Sequence, residues 1–219
     1  KTGVDLGVLK NQIGLFSDPE MVIIDPEYLN TLDHRELLSG LAEIIKYGLS
    51  YDIKLWDEIK SFNHLSISNI EKLIFRSIEI KNEVVTVDPK ENGLRKILNF
   101  GHTLGHAIES YFLKDSTRDK LLHGEAIAIG MIAAGYISHE MFGFPLDELN
   151  SIKSKLHTIY GIVEIQPLIY NDIMELLVHD KKNVGGRVNF VLLSNFEKFH
   201  LDCEVEEGTI RAALDYYQR

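Results

Sequence analysis

The stretch of sequence that decides the fold is HGEAIAIGMIAAGYISHEM, which occupies residues 123–141. Apolar and small residues fill nearly every position, so no face of the corresponding helix is polar. A helix that is apolar all round belongs inside a protein rather than on its surface. Its longest apolar run, residues 126–137, is too short to cross a bilayer. The sequence therefore predicts a helix at the centre of the core.

Helical patterns extend outwards from this central stretch on both sides. On the N-terminal side, helices are predicted for residues 32–49, 51–61, 68–87 and 94–112. On the C-terminal side, they are predicted for residues 145–160, 172–178 and 206–217. Strand patterns are confined to residues 21–24, 187–193 and 199–203, and residues 1–20 are interpreted as loop. The predicted fold class is mainly α, with one multi-helix domain over residues 1–219 and small β elements.

The composition restricts the function. The chain of 219 residues is 45% hydrophobic and 26% charged, as in soluble globular proteins. A net charge of −10 argues against a nucleic-acid partner, and nothing indicates a membrane protein. The single cysteine, Cys203, fits a reducing compartment such as the cytoplasm. No glycine-rich dinucleotide loop and no Walker A motif is present, so the chain has no recognisable nucleotide site of its own.

Histidines mark the most informative motif, Asn-Phe-Gly-His-Thr-Leu-Gly-His-Ala at residues 99–107. His102 and His106 are four residues apart and share one helix face. His123, at the start of the next helix, is a third candidate. Gly101 and Gly105 each destabilise a helix by about 1 kcal/mol relative to alanine, which indicates close packing.

A zinc site for catalysis commonly has three nitrogen or oxygen ligands and an open position. The candidates are two of these histidines and Glu43, a carboxylate in an apolar helical stretch where a free charge is unfavourable. The alternative is a simple ion pair between Glu43 and Lys46, three residues later, with an incidental pair of histidines. The residues alone leave both interpretations open.

Other polar residues together resemble a cradle for phosphate and carboxylate groups, although each alone is typical of solvated surface. They are Lys1, Lys10, Asn11, Lys81, Glu91, Arg95, Asn99, Asp180, Lys181 and Lys182.

At these residues the chain resembles the C-terminal domain of the 3-dehydroquinate synthase family. The resemblance rests on motifs in the family's order: Lys1-Thr2-Gly3, Lys10-Asn11-Gln12-Ile13-Gly14, residues 39–48, Lys81 with Glu91, residues 95–106, residues 122–126 and Asp180-Lys181-Lys182.

The resemblance assigns a divalent metal, zinc or cobalt, to Glu43, His102 and His123. It assigns His106 to a proton relay and Glu91 to proton transfer. It also implies two sets of binding residues. Lys46, Lys81, Arg95 and Asn99 would bind the substrate, and the phosphate and cofactor side would be completed by Lys1, Lys10, Asn11 and Lys181.

The implied activity is that of a carbon–oxygen lyase of the shikimate pathway, which makes precursors of the aromatic amino acids. A small, anionic, phosphorylated sugar acid, DAHP, is converted to 3-dehydroquinate and phosphate. A ring hydroxyl is transiently oxidised with NAD, phosphate is eliminated, and an intramolecular aldol reaction closes the carbocycle. The resemblance further implies a homodimer.

Two departures from the family pattern leave alternatives open. Nothing matching the family's N-terminal NAD-binding domain is recognised, so a truncated and inactive chain is expected. Residues 5–9 read Asp-Leu-Gly-Val-Leu where the family has Asn-His-Pro-Leu-Gly. The alternatives are a related cyclase of the 2-deoxy-scyllo-inosose or valiolone type, an iron-type polyol dehydrogenase domain, and a non-catalytic, metal-stabilised helical module. The set Lys81, Glu91, Arg95, Asn99 and His106 argues against the last, which needs none of them.

Overall fold

A computed structural model describes residues 2–6, 9–15, 19–62, 67–115, 118–178 and 188–219. By its internal contacts the chain forms two compact units, residues 1–30 and 31–219.

The first unit contains an antiparallel hairpin rather than the predicted loop. Strand β1 (Thr2–Leu6) pairs with β2 (Leu9–Leu15), and Val4 lies opposite Ile13. Such β-branched pairs stabilise a two-stranded sheet, whereas the glycines and asparagines had suggested a loop. The strand predicted at residues 21–24 is wrong, since the backbone there pairs with no strand in the described residues. A 3-10 helix, Pro26–Thr31, follows.

The second unit is mainly helical, as predicted. Its α-helices are α1 (His34–Ser50), α2 (Ile53–Ser61), α3 (Ile67–Val87), α4 (His102–Lys114), α5 (His123–Phe142), α6 (Leu146–Tyr160), α7 (Tyr170–Val178) and α8 (Glu207–Gln218). Strands β3 (Asn189–Asn195) and β4 (Lys198–Glu204) form an antiparallel pair.

Helix α5 lies at the centre of this unit, which confirms the prediction from its sequence. It packs against α1, α4, α6, α8 and β3. Two of its glycines allow neighbouring backbones to come close. A Cβ atom on Gly130 would lie 2.0 Å from the carbonyl oxygen of Gly101, and one on Gly124 would lie 2.1 Å from that of Ser39. These contacts hold α5 against α4 and α1.

The predicted helix at residues 94–112 is interrupted. Residues Leu94–Asn99 form a 3-10 helix, and Gly101 takes a left-handed backbone with φ of 78°. Glycine adopts this conformation without steric cost, so the chain turns there and α4 begins at His102. The break places His102 at the N-terminus of a helix.

No helix in the described part of the chain has both the length and the apolarity of a bilayer-spanning segment.

Candidate metal centre

The three histidines come together where α4 and α5 begin. His102 and His123 are the first residues of these two helices. Their ring centroids are 5.8 Å apart, and the ring of His106 lies 5.2 Å from His102 and 5.7 Å from His123. The helix break at Gly101 and the close α4–α5 packing produce this convergence.

Glu43 of α1 completes the cluster. Its Oε1 atom lies 3.1 Å from His102 Nε2 and 3.4 Å from His123 Nε2. This oxygen is buried, and no donor among the described residues is aligned to form a hydrogen bond with it. The other carboxylate oxygen accepts a hydrogen bond from Lys46 Nζ, which is buried. The sequence had offered an ion pair or a metal ligand, and Glu43 has the geometry for both roles.

The cluster fits a tetrahedral metal ion. Ligand atoms about 2.0–2.1 Å from such an ion lie roughly 3.3–3.4 Å from one another. The Glu43 oxygen stands at comparable distances from both imidazole nitrogens. A second grouping, His102, His106 and His123, has ligand atoms that all lie within 4.8 Å of one another. A cation bound by Glu43 Oε1 and the two imidazole nitrogens would give this buried oxygen a partner.

The pKa values of Glu43, His102 and His123 indicate which of them are charged in the metal-free cluster. Burial is the largest influence on Glu43 and acts to raise its pKa, but contacts with His102, His123 and Lys46 together lower it far below its usual value. Burial lowers the pKa of His102 to about 4, so this imidazole is neutral at pH 7. A hydrogen bond with Glu109 is the largest influence on His123, and one with Glu43 is the second largest. Together they raise the pKa of His123 to about 9.

Glu109 was missed by the sequence analysis. Its carboxylate is buried, and Oε2 lies 3.2 Å from His123 Nδ1. The missed signal is the spacing on α4, because residues 102, 106 and 109 follow the i, i+4, i+7 pattern of one helix face. The sequence therefore places Glu109 on the same face of α4 as the two histidines.

A second set of polar residues surrounds the 3-10 helix Leu94–Asn99, which packs against α1. Asn99 donates a hydrogen bond from Nδ2 to Glu91 Oε1 at 2.6 Å, and Arg95 donates one to the carbonyl oxygen of Pro89 at 2.8 Å. The Asp88 carboxylate accepts hydrogen bonds from the backbone N–H groups of Asn92, Gly93 and Arg95. These bonds lower the pKa of Asp88. Asp88, which the sequence analysis did not single out, therefore shapes the loop that carries Glu91.

The other predicted residues are less well placed. Lys81 is exposed on α3. This helix packs against both α1 and the 3-10 helix Leu94–Asn99. The Lys81 side chain has no polar partner within the described residues. Lys1, Lys181 and Lys182 lie outside the described residues. Lys10 and Asn11 are in β2, but their side chains are not among those described. The roles assigned to these residues stay predictions.

The fold and the cluster together define a helical domain built around a candidate metal site. The family model described as 3-dehydroquinate synthase C-terminal matches residues 40–183, and the one described as 3-dehydroquinate synthase N-terminal matches residues 1–39. The chain belongs to the 3-dehydroquinate synthase family. The predicted domain organisation stays a prediction.

Curated relatives named 3-dehydroquinate synthase agree with this family. The protein of Parabacteroides distasonis is 39% identical over 221 residues, and the match covers 100% of this chain and 62% of the relative. That of Thermoanaerobacter pseudethanolicus is 41% identical, with 96% and 59% covered. That of Streptococcus mutans is 39% identical, with 88% and 54% covered. The chain thus spans less than two thirds of the length of these relatives.

Solved structures show a similar fold. The 2-epi-5-epi-valiolone synthase of Streptomyces hygroscopicus, with NAD+ and Zn2+ bound, has a TM-score of 0.83 at 25% identity, covering 99% of this chain and 60% of that one. A 2-deoxy-scyllo-inosose synthase complexed with carbaglucose-6-phosphate, NAD+ and Co2+ has a TM-score of 0.79 at 27% identity, covering 98% and 60%.

Proposed function

We propose that this chain forms the metal- and substrate-binding part of a 3-dehydroquinate synthase, which converts DAHP to 3-dehydroquinate and phosphate. The observation that carries the proposal is the buried Glu43 oxygen facing two imidazole nitrogens, in a chain that belongs to this family. The enzyme class would be a phosphate-eliminating carbon–oxygen lyase.

Glu43, His102 and His123 are proposed to hold a divalent ion, zinc or cobalt. When bound, such an ion would act as a Lewis acid on substrate oxygens. Lys46 supports this arrangement from the protein side, because its ammonium group holds the second Glu43 oxygen and leaves the first one facing the imidazoles.

The anionic substrate is proposed to lie beside this cluster. Arg95, Lys46 and Lys81 supply positive charge for its carboxylate and phosphate, although the net charge of the chain is −10. Asn99 and Glu91, already hydrogen-bonded to each other, offer a donor and an acceptor for hydroxyl groups. His106 is proposed to relay protons, since its ring lies 5.2 Å from that of His102 without being needed as a ligand.

NAD is the proposed second cofactor, since both solved neighbours were determined with NAD+. The sequence has no glycine-rich dinucleotide loop. The proposed phosphate and cofactor side comprises Lys1, Lys10, Asn11 and Lys181.

Phosphate release tests the activity. The complete product of the gene is incubated with DAHP, and inorganic phosphate is measured with and without NAD, and with and without a chelator. We expect release only when NAD and metal are both present. Release that is unaffected by exhaustive metal removal would contradict the proposal.

A related cyclase is the second candidate, favoured by the TM-scores and by the departure at residues 5–9. Glucose 6-phosphate, which carbaglucose-6-phosphate imitates, is therefore assayed in parallel. Turnover of this sugar with no turnover of DAHP would favour the second candidate. The 39–41% identity to 3-dehydroquinate synthases, against 25–27% to the cyclases, favours the first.

Zinc binding is expected to release a proton. His123 has a pKa raised to about 9, so in the metal-free protein it is protonated at pH 7.5, and a ligand imidazole must be neutral. Zinc affinity should rise with pH up to about 9 and level off above it. Titration calorimetry in buffers of different ionisation enthalpy should report about one proton released per ion. Release of none would show that His123 does not bind as a neutral ligand.

We propose a homodimer that acts in the cytoplasm on small molecules, with neither nucleic acid nor membrane as a partner.

A further inference from the structure

Glu109 lies behind the metal cluster and contacts one of its histidines from the far side. His123 has two ring nitrogens with different surroundings. Nε2 is 3.4 Å from Glu43 Oε1, inside the cluster, whereas Nδ1 is 3.2 Å from Glu109 Oε2. The carboxylate of Glu109 is almost fully buried. The ring is thus held between two carboxylates.

The second contact decides which nitrogen carries the proton. An ionised carboxylate accepts hydrogen bonds and cannot donate them, so opposite an ionised Glu109 the Nδ1 atom presents its N–H. The lone pair of a neutral His123 is then on Nε2 and points into the cluster. A buried carboxylate is unfavourable without polar partners, and His123 is one of the partners of Glu109.

His102 provides an internal comparison. Its Nδ1 faces the backbone carbonyl oxygen of Phe100 at 3.3 Å, a neutral acceptor. The two histidines are therefore held by acceptors of different charge. A carboxylate partner increases the basicity of an imidazole more than a carbonyl group does.

We propose that Glu109 is a positioning residue of the metal centre, which fixes the orientation and tautomer of His123 and strengthens its bond to the ion. This inference rests on the proposed metal site. Glu109 stands outside the cluster of ligand atoms, and it acts through His123.

The test compares Glu109→Gln with the wild-type chain. Glutamine keeps the size of the side chain but removes its charge. The matched control is Glu140→Gln, which removes a carboxylate exposed near the other end of α5. Zinc affinity is measured at one fixed pH by competition with a chelator, together with the cobalt absorption spectrum and the melting temperature of the metal-free protein.

We expect E109Q to bind zinc about 10–100-fold more weakly than wild type, as is typical when an outer-shell partner of a metal ligand is lost. The cobalt spectrum should shift, and E140Q should match wild type in both measurements. If E109Q does not fold, Glu109→Asp serves instead, because its carboxylate is one methylene too short to reach Nδ1 and the affinity should again fall.

Three results would overturn the inference. Wild-type affinity in E109Q, with or without a change in melting temperature, would make Glu109 purely structural. Complete loss of zinc from E109Q, equal to the loss from His102→Ala, would make Glu109 a ligand itself. Absence of zinc from the wild-type chain would instead remove the metal site, and with it this role, which separates that failure from the first two.

Discussion

Replacement of His102 by alanine is expected to leave a protein that retains no zinc. The imidazole is buried, neutral at pH 7 and 3.1 Å from the Glu43 oxygen, so its loss removes one of three proposed ligands. Two remaining ligands do not make the three-ligand site that zinc requires. The variant is loaded with zinc, passed through a desalting column, and analysed for metal by mass spectrometry.

The matched control is His106→Ala, one turn further along the same helix. This variant should keep its zinc and lose phosphate-releasing activity in the complete gene product. Glu43→Ala should behave like H102A and lose the ion. If H106A loses the metal while E43A keeps it, the ion is held by the three imidazoles, and the ligand assignment made here is wrong.

Replacement of Gly130 by alanine is expected to destabilise the fold strongly, because the added methyl group would clash with backbone atoms of a neighbouring segment. The added carbon would lie 2.0 Å from the carbonyl oxygen of Gly101 and 2.8 Å from the amide nitrogen of Gly105. Both are backbone atoms, so α4 would have to move away from α5. We expect a loss of at least about 3 kcal/mol in the free energy of unfolding, measured by urea titration of the metal-free protein.

The control for this prediction is Gly40→Ala in α1, where nothing lies within 4 Å of the added carbon. Alanine is favoured over glycine in a helix, so G40A should stabilise the protein by about 1 kcal/mol. Equal stability of G130A and wild type would show that α4 and α5 are further apart than described. Because His102 begins α4, the convergence of the histidines would then lose its explanation.

Long periodic patterns were predicted best, because burial dictates them. Helix α5 has an apolar surface on every side, and only a central position satisfies it. The start of α1 was equally predictable, since Asp33 accepts a hydrogen bond from the backbone of Arg35 as an N-cap residue should. Local chemistry was sufficient in both cases.

The errors have physical causes. The glycines and asparagines of the N-terminal segment hid the β1–β2 hairpin, whose stability depends on cross-strand pairs that composition does not show. The helix break at Gly101 was missed because a helical glycine and a left-handed glycine look the same in a sequence. The close approach of α5 explains why this residue is a glycine, and that contact is tertiary.

The residues of the candidate site also fall into those that the sequence predicted and those that it did not. Glu43, His102, His106 and His123 were predicted together, and the structure brings them together. Glu109 was not predicted. Its spacing places it on the same face of α4 as His102 and His106, but its contact with Nδ1 of His123 depends on how α4 and α5 pack together. Asp88 was missed for a similar reason, since its role consists of bonds to backbone groups of a loop.

Anomalous X-ray diffraction from zinc-loaded crystals tests the central claim most directly, because it locates the ion. We predict one strong peak at the zinc edge, within about 2.0–2.2 Å of Glu43 Oε1, His102 Nε2 and His123 Nε2. A peak bonded to His106 in place of Glu43, or no peak at this cluster after loading, would contradict the account.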